Sequence, residues 1–493
     1  MLVRQYRRDK VNGVLQRALL AKGRARNCLL FACFPFLIPL AALSAQAPEL
    51  DLVRESGFHP TNLGYVVVDF ETGEMQRAYQ AKQVFIPASM LKILTAFAAL
   101  ETLGADFRFE TPVYGENLAG GLRLHLSGGG DPVLVEEDLR GLADSLRRRI
   151  GSEPVAFFTY DHAAVPFIPA IDPSDDIANS YNPPVTALSV NFNRQWLQWQ
   201  RSPDHYAMLV RVLPDLGHAI SGVAPVRPGD GRPVQVFTGG LTRFLIEPQV
   251  PSEGQRRVAV HRPALRAALM LRQFAADAGL AMPEPRQAVR PGQASVLAVN
   301  ESRPLLEIAD GLLRYSNNLS AELVGLTVAT QLARAPQSLE ESADVVRSWA
   351  ARSVPAFGHA GMRWPNQSGL SGEARLSPEA LMDLLLEVRN RTYGDRPFLE
   401  LLSEPRWSEG DSGLTVRAKS GTMSYARGQA GLLTTPDGRP FLFVLMHTDF
   451  DARARFERNP LRFGNPVRRQ AGRWLDRARR LERAILRHWA ETL

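Results

Sequence analysis

The segment IPASMLKILTAFAALETLG (residues 86–104) constrains this chain more than any other. It has the composition and length of a helix, with Pro87 suited to its start and Gly104 to its end. It is apolar nearly all round, and such a helix is stable only when covered on every side. The fold must therefore supply layers around it. Yet it carries Ser89 and Lys92, and a buried lysine is unusual. Residues three apart share one helix face, so the amine can reach the hydroxyl. Burial disfavours the ammonium form, which predicts a neutral amine beside a hydroxyl. That is a general base next to a nucleophile, at a helix N-terminus where the dipole favours developing negative charge.

Lysine usage sharpens the point. The chain has five lysines (Lys10, Lys22, Lys82, Lys92 and Lys419) among 58 basic residues. Arginine cannot lose its proton at working pH, whereas a buried lysine can. A lysine kept in an arginine-biased chain points to a titratable amine. Lys82 suits a tolerant surface site; Lys92 and Lys419 lie in motifs.

Net charge is +7, but its location removes nucleic acid as a partner. Residues 1–45 hold eight Arg or Lys and one acid, Asp9, leaving 50 basic and 50 acidic residues in the rest. Within those 45 residues a basic stretch precedes the apolar run 28–43, and small residues follow. That order predicts a secretory signal peptide, cleaved near Ser44 or Ala45, with an uncleaved anchor as the alternative. Export to the periplasm or cell envelope follows. Both cysteines, Cys28 and Cys33, sit in the leader, so the body has no disulfide or thiol chemistry.

A 493-residue chain predicts about two to four domains. Residues 65–80 read as a β-hairpin turning at Glu71-Thr72-Gly73. Between 111 and 261 short alternating strands separated by Pro and Gly predict an inserted strand-rich region of one or two small units. Helical periodicity returns at 262 and continues through 333. Residues 414–421, 429–435 and 441–448 predict an antiparallel meander. The expected organisation is thus 1–45 leader, 48–110 plus 262–465 split catalytic domain, 111–261 insertion, and 466–493 a basic amphipathic helix. That last helix carries eight Arg against three acids. It reads as a closing helix with a solvated arginine face, or as a peripheral contact with anionic membrane.

Two further motifs join Ser89 and Lys92. Ser316-Asn317-Asn318 falls between two helical patterns, where a hydroxyl and an amide can face a cleft. Ser316 would relay a proton to a leaving amine, and Asn318 would hold either a substrate carbonyl or the Lys92 amine. Alone, such a motif is more often a helix cap. Lys419-Ser420-Gly421-Thr422 falls on a strand whose edge can receive a peptide. Lys419 and the Ser420 hydroxyl would anchor a carboxylate. The backbone N–H groups of Ser89 and Thr422 would form an oxyanion hole.

The three motifs stand in the order of S-x-x-K, S-D-N and K-T-G, the joint signature of penicillin-binding proteins and class A β-lactamases, and the chain resembles that superfamily. The step of 224 residues from Lys92 to Ser316 is about twice what a compact β-lactamase leaves there. Such an insertion is typical of class C penicillin-binding proteins of the D-Ala-D-Ala carboxypeptidase/endopeptidase type (peptidase family S13). SGGGDPVL (127–134), SYNPPVTALSVNFN (180–193) and NQSGLS (366–371) resemble that family's segments as well.

The resemblance implies an α+β fold: a β-lactamase/transpeptidase-like domain, with an antiparallel sheet flanked by helices, interrupted by a large insertion. It implies a serine D,D-peptidase acting on peptidoglycan stem peptides, acylated by β-lactam antibiotics and needing no metal or organic cofactor. An acid of the inserted region is expected to bind a free amino group of the substrate; Asp176, or Asp175, is the candidate. Two positions depart from the family pattern. Ser420 replaces the usual Thr but keeps the hydroxyl, and the approach 171–181 lacks the family's tryptophan. A β-lactamase-like hydrolase and a non-catalytic peptidoglycan-binding scaffold are the alternatives. The nine histidines fit neither a G-x-S-x-G hydrolase nor an H-E-x-x-H zinc site.

Overall fold

The computed structural model describes residues 48–201, 208–213, 234–238, 241–245, 251–405, 407, 413–462 and 464–493. The leader and both cysteines lie outside the described residues.

Both ends of the described chain meet in one five-stranded antiparallel sheet. Its order is Thr415–Met423, Ala426–Thr434, Pro440–Thr448, Leu63–Asp69 and Met75–Tyr79. The N-terminal hairpin joins the C-terminal meander through the register Tyr65↔Leu445. Successive strand side chains point to opposite faces, and here both faces are covered. Val66, Val68, Val444 and Met446 pack towards the helix Lys92–Leu103. Tyr65, Val67, Phe443 and Leu445 pack towards the helix Asn465–Thr492. The strands consequently read as near-continuous apolar runs, as sheets buried on both faces do.

The serine segment is a 3-10 turn, Ala88–Leu91, running into the helix Lys92–Leu103 and stopped by Gly104 at φ 88°. Nine of the twelve residues of that helix are buried, Lys92 among them. The helix Asn318–Leu332 packs beside it, and Leu305–Tyr315 and Leu339–Ala350 complete the layer.

The insertion is α/β rather than purely strand-rich, and it extends beyond 261. Its main sheet has the order Arg286–Gln287, Val155–Asp161, Gly121–Ser127, Glu110–Leu118, Ser295–Glu301, with parallel pairs on either side of Val155–Asp161. The helix Pro263–Asp277, expected in the catalytic domain, instead packs against the inserted helix Glu136–Ile150. Ala267, Leu271 and Phe274 share a core with Leu139, Leu142 and Leu146. Helical periodicity announces an apolar face but not the neighbour that covers it. Among the described residues, a three-stranded antiparallel sheet (Arg194–Arg201, Met208–Leu213, Glu253–Ala259) and the hairpin Val234–Thr238/Leu241–Leu245 account for the remaining strands of the insertion.

The C-terminal helix packs on the five-stranded sheet, the place of a closing helix. Its apolar face (Ala471, Trp474, Ala478, Leu481, Ile485, Trp489) is buried against the sheet. That face is spent on the core, so the expected membrane contact through it is withdrawn. No helix among the described residues is long and apolar enough to cross a membrane.

Candidate active site

The serine turn sits where three segments converge, and two glycines allow the approach. Gly421 passes so close that a Cβ there would fall 2.2 Å from the Pro87 carbonyl oxygen. Gly369, at φ 74°, has the same relation to the Ala88 carbonyl oxygen, at 2.0 Å. Any side chain at either position would push the edge strand or the 366–369 turn off the nucleophile. Ala88 itself takes the left-handed conformation (φ 46°), rare without a glycine.

Lys92 lies beneath the serine. Its Nζ is 2.9 Å from Ser89 Oγ, 2.8 Å from Asn318 Oδ1 and 2.6 Å from the Ser368 carbonyl oxygen. The side chain is fully buried. Burial, and then the charge of Lys419, hold its pKa well below the ordinary lysine range, against a smaller upward pull from Glu322. A neutral amine has two hydrogens and one lone pair. Asn318 Oδ1 and the Ser368 carbonyl can only accept, so they take the hydrogens. The lone pair is left for the Ser89 hydroxyl.

Asn318 is committed on both sides of its amide, because its Nδ2 donates to the Tyr181 carbonyl at 2.9 Å. Of the two roles expected for it, the structure favours holding the lysine. The same bond ties the inserted region to the site. Ser316 caps the helix Leu305–Tyr315 in the left-handed conformation (φ 57°). Its Oγ accepts from Lys419 Nζ at 2.9 Å, and Lys419 also donates to the Ser420 carbonyl at 3.1 Å. Burial, then the Arg427 charge, lower the Lys419 pKa to about 7.

Sequence reasoning missed three contributors. Glu322 is fully buried and accepts from the Gln367 and Ser368 backbone N–H groups at 2.9 and 2.8 Å. It thereby fixes the turn whose carbonyl receives Lys92, and burial raises its pKa. Its signal was present: an acid four residues after Asn318, the one charged residue of its helix. Ser368 and Tyr181 act through backbone carbonyls and leave no trace in residue type.

The site opens into a cavity of about 1020 Å³, lined by Ser89, Ser316, Asn318, Ser420 and Thr422 among others. Its far wall includes Asp172 and Asp175 but not Asp176. Asp176 accepts from the Ala178 N–H at 3.0 Å in a local turn. Asp175 receives the Tyr181 hydroxyl at 3.3 Å, and burial raises its pKa. Lys419 stands behind Ser316 and Ser420 and is itself buried.

The fold is that of the penicillin-binding proteins. The solved structure of penicillin binding protein 4 from Haemophilus influenzae superposes with a TM-score of 0.67, at 18% identity, over 82% of this chain and 93% of that one. A second structure of that protein, bound to a β-lactam, gives 0.63 at 19% identity, over 84% and 98%. The D-Ala-D-Ala carboxypeptidase 3 (S13) family model matches residues 51–460, and the chain belongs to that family. It is a D-Ala-D-Ala carboxypeptidase, in agreement with the resemblance read from the motifs. The D-alanyl-D-alanine carboxypeptidase of Actinomadura sp. strain R39 is 27% identical over 85% of this chain and 86% of its own. Carboxypeptidase DacB of Mycolicibacterium smegmatis is 26% identical over 84% and 83%.

Proposed function

We propose that the chain is exported to the cell envelope and works as a serine D,D-peptidase through an acyl-enzyme on Ser89. Its substrates would be D-Ala-D-Ala termini and D-peptide cross-links of peptidoglycan. Lys92 takes the Ser89 proton as Oγ bonds to the scissile carbonyl carbon. The Ser89 and Thr422 N–H groups receive the oxyanion. The proton travels through Ser316 to the leaving nitrogen, the C–N bond breaks, and the amine departs. Water then attacks the ester, returning the proton to Ser89 and releasing the shortened peptide. Ser420 and Thr422 meet the substrate carboxylate, with Lys419 behind them. Asp175, rather than Asp176, is the acid for a substrate amino group, because it lines the cavity. β-Lactams would acylate the same serine, as the β-lactam complex of the H. influenzae protein suggests.

One observation carries this reading: a buried amine 2.9 Å from a serine hydroxyl, its two hydrogens matched by two acceptors. Fluorescent penicillin is expected to label the wild-type protein and not Ser89→Ala. Absence of labelling, or labelling that survives the substitution, overturns it. Digestion of cross-linked muropeptides then separates terminal trimming from cross-link cleavage.

A further inference from the structure

Thr422 is exposed in the cavity, yet its hydroxyl is not free to turn. Arg427 faces it directly from the strand next to the edge strand and donates from Nη1 to Thr422 Oγ1 at 2.7 Å. The guanidinium is held in turn by the closing helix. Its Nε and Nη2 donate to Glu482 Oε2 and Oε1 at 2.9 and 2.7 Å, a bidentate pair. Gln429, two residues along the same strand, donates to Glu482 Oε1 as well. Arg427 is 11% exposed and Glu482 5%. Arginine only donates. The Thr422 oxygen is thus occupied as an acceptor on its inner side, and its own hydrogen is left to point outwards.

We infer that Arg427 and Glu482 are positioning residues for carboxylate recognition: they orient the Thr422 hydroxyl as a donor towards the C-terminal carboxylate of the substrate. Neither touches the substrate; they act through Thr422. The closing helix thereby gains a role in substrate choice, in addition to covering the sheet. The proposal deepens the reading of the cavity given above and rests on it. A substrate ending in a carboxylate exploits the oriented hydroxyl, whereas one ending in a neutral amide does not.

The test uses the whole protein with N-acylated D-alanyl-D-alanine and its C-terminal amide. In Arg427→Gln, kcat/KM for the acid is expected to fall about tenfold more than for the amide, mainly through KM, since a hydrogen bond to a charged group is at stake. Arg427→Lys, which keeps the charge but cannot form the fork, should lose discrimination in the same direction. Thr422→Val should do likewise, and Arg427→Gln added to it should cost no further discrimination. Equal losses on acid and amide, or additive losses in the double variant, overturn the proposal. Thermal unfolding is followed in parallel. If Arg427→Gln does not fold, Glu482→Gln and Arg427→Lys are combined with Thr422→Val, and additive losses there decide against it. Penicillin acylation of each variant keeps the two readings apart. Failure of wild-type acylation at Ser89 sinks the catalytic reading, while an acylatable variant with unchanged acid-to-amide discrimination sinks only this one.

Discussion

Two deeply placed cations lie on opposite faces of the same sheet, and they are held in opposite ways. Lys92, at the start of the helix that follows Ser89, has three oxygen partners, none of them a carboxylate. Arg427, under the closing helix, sits in a bidentate pair with Glu482. The first arrangement lowers the cost of losing a proton. The second secures a charge that is never lost. A chain that uses arginine almost everywhere keeps lysine where the proton must move. The sheet thus separates a titrating face from a fixed one.

The sharpest way to break this contrast is to exchange the cation type at the titrating face. Lys92→Arg puts a permanent charge where the neutral amine stands and cannot act as a base, and acylation by benzylpenicillin should fall by about a thousandfold or more. Near-normal acylation rates in that variant would end the distinction. On the fixed face the test is stability. Glu482→Leu leaves the Arg427 charge buried without its carboxylate and should cost about 3 kcal/mol in urea unfolding. The Arg427→Met/Glu482→Leu double variant should recover most of that loss. If the double variant is no better than the single, the pair is not acting as a unit.

Proton uptake on the closing-helix face bears on stability. His447 is wedged between Phe58 and Trp474, with ring centroids at 4.3 and 4.9 Å, and neither ring nitrogen has a hydrogen-bond partner. Burial, then Arg477, lower its pKa from 6.5 to about 3. The unfolded chain takes up that proton before the folded one does. Stability is therefore full above about pH 6.5 and declines as pH falls towards about 3, by up to about 1.4 kcal/mol per unit. In His447→Phe this part of the acid dependence of urea unfolding should vanish. The smallest effect concerns Lys419, which titrates near 7. Its positive charge is present below that pH and fades above it. The acid-to-amide preference in kcat/KM should accordingly decline as pH rises through about 7, and a preference that grows instead would show that the ammonium does not assist carboxylate binding.

Much of the site was legible because its central pieces are local. Ser89 and Lys92 share one turn of one helix, and Ser316 and Asn318 share one interhelical turn, so spacing alone brings each pair together. Lys419 stood out by residue type. The central sheet was legible as a hairpin and a meander, since alternation and turn residues act over a few positions. Less accessible was everything that depends on which distant surface covers a face. The helix Pro263–Asp277 shows the same periodicity whether it joins the catalytic domain or the insertion, and packing against Glu136–Ile150 places it in the latter. The acids 175 and 176 are adjacent in the chain, and only the local turn directs Asp175, not its neighbour, to the cavity wall.

By itself, the sequence singled out the Ser89–Lys92 pair and pointed to the family, because both rest on residue types at short fixed spacings. The tertiary structure decided how the Lys92 amine is tuned. The acceptors for its two hydrogens come from residues 318 and 368, and Glu322 fixes the 366–369 turn. It decided too that a glutamate near the C-terminus holds the arginine beside Thr422. Contacts across hundreds of residues obey no local period. They exist only once the sheet has joined the two ends of the described chain and buried a helix on each face.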